Sequence, residues 1–334
     1  MKKKESNSFI GRHLKHLTLI DVLFMGYMFC LSIILLFFHK GVEQWQTYII
    51  IHFFIIGIIF FLIPALDKSK NKILKFIRWW YPILLFTFNY REINSFTHII
   101  VQGWKDKEIM LFEKMIFGVH PTLWMEKFVN PVLTEIMKFD YFTYYFMIPV
   151  GAAFIYFGGR RKEYVKYLST VCLAFYISYI GFILYPVRGP RYTLYDKYNK
   201  DYKVNIREFY GPYVEEDVQN KTTMALKGYF FSDLQNMIMR YGSLHGGCMP
   251  SSHIAVAYVC MMMMFFYCKK ISYFYLPLVS VLCISVVYNR YHYVSDVAAG
   301  IIVGLVSIWI TPYLLRRWTR ISKPKNERNS DLLS

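Results

Sequence analysis

The chain has 334 residues, 55% of them hydrophobic and 19% aromatic, with only 18% charged, against roughly a quarter charged in an ordinary soluble domain. This composition excludes disorder, a collagen-like repeat and a single water-soluble core, and six Cys without a CxxC pair exclude a disulfide scaffold. The net charge of +17 is divided among long apolar stretches instead of gathering in one patch, which favours a lipid bilayer over nucleic acid as partner.

A helix that crosses roughly 30 Å of hydrocarbon needs about 20 mostly apolar residues. Such segments are predicted at 18–38, 46–65, 79–96, 140–158, 166–186, 252–268, 271–290 and 296–315. The expected fold class is therefore all-α, a multi-pass transmembrane helical bundle of about eight spans. The first segment is too long, and too lacking in a small-residue cleavage site, for a removed signal peptide.

Orientation follows from Lys and Arg. Stretches 1–17, 66–78, 159–167, Lys269-Lys270 and 316–334 carry net charges of +4, +4, +3, +2 and +4, which together equal the entire excess of +17. With eight spans these stretches all fall on one side, expected to be cytoplasmic. The opposite side receives the segment 97–139 and the loop 187–250, whose 9 basic and 7 acidic residues nearly cancel. Segment 97–139 mixes Trp104, Phe112, Phe117, Trp124 and Phe128 with Lys and Glu, and Pro121 and Pro131 interrupt it. Short amphipathic helices at the membrane interface are expected there.

Three polar clusters lie at predicted span ends. The first is Tyr185-Pro186-Val187-Arg188-Gly189-Pro190-Arg191-Tyr192. A guanidinium fork suits an anionic oxygen group, although Arg near a span end also snorkels to the interface. The second is Gly246-Gly247-Cys248-Met249-Pro250-Ser251-Ser252-His253, directly before the sixth segment. Ser before an apolar run is a helix cap, and a helix N-terminus favours an anion. The third is Asn289-Arg290-Tyr291-His292-Tyr293-Val294-Ser295-Asp296. There His292 and Asp296, four apart, share a helix face, and an Asp entering an apolar segment is costly enough to need a purpose. His245 and Cys248 have the spacing of half a zinc site, but no second pair accompanies them, so no metal or other cofactor is expected.

From His253 the chain descends one span, turns at Lys269-Lys270 and climbs back to Arg290 and His292. The two histidines thus return to the same interface, where the fifth span delivers Arg188 and Arg191. Two His, an Asp, three Arg and a helix N-terminus at one surface point to a phosphate site.

At these residues the chain resembles the type 2 phosphatidic acid phosphatase superfamily, whose pattern is Lys-x6-Arg-Pro, then Pro-Ser-Gly-His, then Ser-Arg-x5-His-x3-Asp. Pro250-Ser251-Ser252-His253 matches the second signature with one Gly-to-Ser change, and His292-x3-Asp296 matches the end of the third. Val286 stands where the third signature has Arg, and the first signature lacks its Lys and reads Arg188-Gly189-Pro190-Arg191. The resemblance implies a six-helix phosphatase-like core over 79–315, preceded by a basic segment with two additional spans at 1–78 and followed by a basic tail at 316–334. It implies that His292 is a nucleophile forming a phosphohistidine, that Asp296 orients it and that His253 protonates the leaving oxygen. Arg188, Arg191, Arg290, Ser251 and Ser252 would then contact the phosphate.

The looser basic residues are similar to the branch that contains inositol phosphorylceramide synthases. Three readings stay open. A lipid phosphatase on the non-cytoplasmic face is the simplest use of the triad. A lipid head-group phosphotransferase shares its first half-reaction, and a non-enzymatic lipid transporter would use the same residues for binding alone.

Overall fold

The computed structural model describes residues 9–193, 226–242 and 246–322. All secondary structure among them is helical apart from one bridge between Val187 and Gly247. The helices, in order, are α1 (Phe9–Leu14), α2 (Leu19–Phe38), α3 (Trp45–Lys68), α4 (Lys72–Ile93), α5 (Asp106–Phe117), α6 (Pro121–Met125), α7 (Pro131–Phe157), α8 (Arg161–Leu184) and α9 (Pro190–Thr193). After the undescribed stretch come α10 (Phe230–Gly242), α11 (Ser252–Tyr267), α12 (Lys269–Tyr288) and α13 (Val294–Ser322).

Local chemistry sets where these helices start. Thr18 and Asp21 form a capping box at α2, Asn71 accepts from the Ile73 and Leu74 amides at α4, and Asn130 accepts from Leu133 ahead of Pro131 at α7. Each cap satisfies amides that a helix start leaves without an intrahelical partner. Pro131 fits because the first turn needs no amide hydrogen.

Every expected span is helical. Five of the described helices are long and apolar enough to cross a membrane: α2 with its 3₁₀ extension to Gly41, α3, α8, α12 and α13. Helix α11 is apolar but has 16 residues. Helices α4 and α7 carry buried Arg78, Asn89, Glu92, Lys138 and Asp140. Large apolar side chains such as Phe37, Leu84 and Trp309 are exposed on the outside of the bundle, the arrangement lipid tails solvate. The chain is a membrane protein.

Helix α8 lies at the centre, against α2, α4, α7, α11 and α13, and α11 lies against α7, α12 and α13. Helix α4 begins at Lys72, earlier than the expected 79, and this corrects one part of the charge reading. Arg78 belongs to the helix, is 1% exposed and pairs with Asp21 of α2 at 2.8 Å. The Tyr81 hydroxyl also donates to Asp21. A second buried link joins α2, α3 and α4, with Ser32 Oγ 2.9 Å from His52 Nδ1 and His52 Nε2 2.6 Å from Glu92 Oε1. Removing one partner of such a pair leaves a bare charge in a dry interior, which costs several kcal/mol.

Candidate active site

The sequence clusters meet at one end of the bundle, where α8 finishes and α11 and α13 start. Ser251 caps α11, its Oγ accepting from the Ile254 amide at 3.4 Å, and its own amide donates to the Asp296 carbonyl at 3.0 Å. The hydroxyl of Ser251 therefore serves the cap. Ser252, also buried, opens the helix, and His253 projects from its first turn. Helix α13 comes close because Gly300 has no side chain. A Cβ there would lie 2.6 Å from the Ser251 carbonyl oxygen, and one at Gly304 would lie 3.0 Å from that of Ala255.

His292 sits in the connection between α12 and α13 and is 2% exposed. Its Nδ1 lies 3.3 Å from Asp296 Oδ2, which also accepts from the Tyr293 amide at 2.9 Å. The Cys248 backbone carbonyl also bonds the ring. Burial lowers the His292 pKa to about 4, so the imidazole is neutral at physiological pH. The His253 and His292 ring centroids are 5.6 Å apart.

Arg188 arrives from the α8–α9 turn and Arg191 from α9 itself. The Val187–Gly247 bridge fastens that turn to the segment leading into α11. Gly189 adopts φ +95°, and a Cβ there would meet Cys248 Sγ at 2.5 Å, so glycine alone fits. The Arg191 amide donates to the Arg290 carbonyl at 2.7 Å. Its guanidinium is buried over the Tyr291 ring, and Nε and Nη1 have no hydrogen-bond partner among the described residues. A buried cation with unused donors is suited to an anion.

Arg188, Arg191, His253 and His292 line one small cavity of about 40 Å³, together with Tyr141 and Tyr291. Arg290 does not line it. Its Nε and Nη2 are each 2.6 Å from a carboxylate oxygen of Glu126, a two-pronged pair that holds the 3₁₀ turn after α6 against the α12 terminus. Of the phosphate-contact residues expected from sequence, the structure thus gathers Arg188 and Arg191, uses Ser251 as a cap and turns Arg290 elsewhere. His245 lies outside the described residues, as does more than half of the loop 187–250.

Sequence reasoning missed the carboxylates that build the site from behind. Asp106, the first residue of α5, accepts from the Arg188 and Gly189 amides, both at 2.8 Å, and from the Tyr293 hydroxyl at 2.9 Å. Burial nevertheless raises its pKa to about 6. Glu113, two turns along on the same face, accepts from the Ser295 amide at 2.7 Å and hydroxyl at 2.9 Å, which secures the first turn of α13. Tyr141 of α7 was missed too, and its hydroxyl lies 2.9 Å from His253 Nε2. The amphipathic pattern of 97–139 was the available signal for the first two. An acidic residue followed by apolar ones every three or four positions marks a helix with one face turned inward.

Cys248, His292 and Asp296 bring ligand-type atoms within 4.8 Å of one another. Here the thiol acts as a donor, to the Arg188 and Tyr291 carbonyls at 3.3 Å each, and burial pushes its pKa up.

A larger cavity of about 350 Å³ adjoins the small one. Its wall includes Phe86, Tyr90, Ile148, Phe175 and Met239, with His253 at the boundary. Comparison with known proteins gave one family match, to the PAP2 superfamily model over residues 107–310. No curated protein and no solved structure matched the chain.

Proposed function

The chain belongs to the PAP2 superfamily, and on that premise we propose that it is an integral membrane lipid phosphatase working through a phosphohistidine. The observation that carries the proposal is the pair of imidazoles 5.6 Å apart beside two arginines in one small chamber. In-line phosphoryl transfer needs a nucleophile and an acid on opposite sides of phosphorus, with cations around the equatorial oxygens.

In the first step the neutral His292 forms a bond from Nε2 to phosphorus while the ester P–O bond breaks, and His253, whose protonated form the bound phosphate dianion favours, gives its proton to the departing alkoxide oxygen. Asp296 holds the Nδ1 side and stabilises the charge gained by the ring. In the second step water attacks the phosphohistidine and loses its proton to His253, releasing phosphate and restoring both residues. Arg188 and Arg191 supply the positive field, so the proposed reaction needs no metal. The charge distribution supports eight spans with this chamber on the non-cytoplasmic face.

Head-group transfer to a lipid hydroxyl would begin in the same way, but would leave the phosphate with its head group on His292. A chamber of about 40 Å³, at roughly 10–15 Å³ per water, suits a phosphoryl group better than a polyol phosphate. The test is incubation of purified protein with radiolabelled phosphatidate. Release of free phosphate, acid-labile label trapped on the wild type and loss of both in His292→Ala are expected. Full activity in both His292→Ala and His253→Ala would remove the phosphohistidine, and a wild type that binds phosphatidate but releases no phosphate and traps no label would overturn the enzyme reading in favour of a lipid-binding transporter. A new labelled phospholipid formed from a donor that carries a polyol head group and a ceramide or diacylglycerol acceptor, without phosphate release from phosphatidate, would replace hydrolysis with transfer.

A further inference from the structure

We propose that the hydrocarbon of the departing lipid alcohol lies in the larger cavity between α4, α7, α8 and α10, and that α4 together with Met239 selects which lipid phosphates are cleaved. This rests on the phosphatase reading above and adds to it the site and determinants of lipid choice.

The two cavities adjoin, and Tyr90, Tyr141, Met239 and His253 line both. Of the two histidines, His253 borders both spaces and His292 only the small one. The acid must face the oxygen that leaves, so the leaving group extends from phosphorus toward His253 and beyond it. Beyond it lies the cavity of about 350 Å³, within the size of known small-molecule sites, roughly 300–1,000 Å³. Its lining is mostly apolar, with Ile83 and Phe86 from α4, Ile148 from α7, Phe175 from α8 and Met239 from α10, while Arg91 and Ser252 also reach it. A mostly apolar surface of this kind suits a hydrocarbon chain.

Helix α4 lies outside residues 107–310, the part matched by the superfamily model. One wall of the cavity therefore comes from outside the matched residues. The opposite rim is held in place. The Glu135 carboxylate of α7 accepts from the Tyr229, Phe231 and Ser232 amides at 2.7, 2.6 and 3.0 Å, and Lys138 donates to Asn236 at 3.1 Å. These bonds fasten α10 along α7 and set Met239 over the junction of the two spaces.

The full-length protein in detergent is assayed on phosphatidates with six-carbon and eighteen-carbon chains, and the ratio of kcat/KM, long over short, is the readout. Thr87→Trp, which fills the cavity from α4, is expected to lower that ratio at least tenfold. Met239→Trp is expected to lower it as well, and Phe86→Ala to shift preference toward bulkier chains. Wild-type protein supplies a measurement independent of variant folding: inhibition by linear alcohols should tighten about fourfold per added methylene until the cavity is filled. A flat alcohol series, or ratios within twofold of wild type in all folded variants while phosphate is still released, would overturn the inference and leave the phosphatase reading intact. Absence of phosphate release from either lipid by the wild type would instead remove the phosphatase reading.

Discussion

The Tyr141 hydroxyl lies 2.9 Å from His253 Nε2, while the Tyr141 ring packs edge-on against Tyr291 at 4.8 Å between centroids. One residue of α7 thereby fixes the orientation of a histidine on α11 and touches the segment that carries the other. Tyr141→Phe keeps the ring and removes the hydrogen bond, a loss of roughly 1 kcal/mol. We expect kcat to fall about fivefold with KM changed little, because the bond positions the proposed acid and leaves the arginines in place. Steady-state kinetics on phosphatidate check this, and an unchanged kcat would remove Tyr141 from the mechanism.

Two buried groups outside the spans should give stability opposite pH dependences. His292 titrates at about 4 in the fold against 6.5 in the free side chain, so the unfolded chain takes up its proton first. Its contribution is present above pH 6.5 and is lost as pH falls through 4. Asp106 is raised from 3.8 to about 6, so its contribution is complete below 3.8 and is lost as pH rises through 6. Relative to wild type, the melting temperature of Asp106→Asn should rise more between pH 4 and 6, and that of His292→Ala should rise less. Parallel curves for all three proteins would contradict both assignments.

Asp106 also acts through Arg188, whose amide it holds. An amide in place of the carboxylate weakens two charge-assisted bonds, each worth roughly 1.5–3 kcal/mol. Asp106→Asn should raise KM for phosphatidate about tenfold or more, with a smaller change in kcat, since the arginine turn binds the anion and the histidines do the chemistry. A fall in kcat alone would place Asp106 elsewhere in the mechanism.

The Arg290–Glu126 pair yields a prediction that separates structural from phosphate-binding roles. Arg290→Ala and Glu126→Ala should each destabilise the fold by about 2 kcal/mol, and the double variant should be less destabilised than their sum. If Arg290 contacted phosphate, its removal would raise KM steeply while Glu126→Ala would not. Denaturation in detergent and KM for both single variants decide between these outcomes.

Much of this arrangement was legible in the chain itself. Segment length and hydropathy gave the helices, and one descent and return between His253 and His292 was enough to place both at one interface. The i, i+4 spacing of His292 and Asp296 survived folding even though α13 begins between them, at Val294. That Arg290 turns toward Glu126 was not legible, because its direction depends on a backbone with φ of 62° and on a Glu far away in sequence. Asp21 and Arg78, like Ser32, His52 and Glu92, read as isolated polar residues in or beside apolar segments. Their meaning arises only where α2, α3 and α4 cross, and hydropathy along one strand of sequence carries no information on crossings.

Gly300 and Gly304 bring the backbones of α13 and α11 into direct contact, and the consequence reaches beyond local geometry. Bilayers of different thickness tilt single helices at modest cost, which would separate two residues carried on independent spans. Helices joined along bare backbone tilt as one body. The distance between His253 and Asp296 should therefore be insensitive to lipid composition, letting this protein keep one chemistry in membranes of differing thickness.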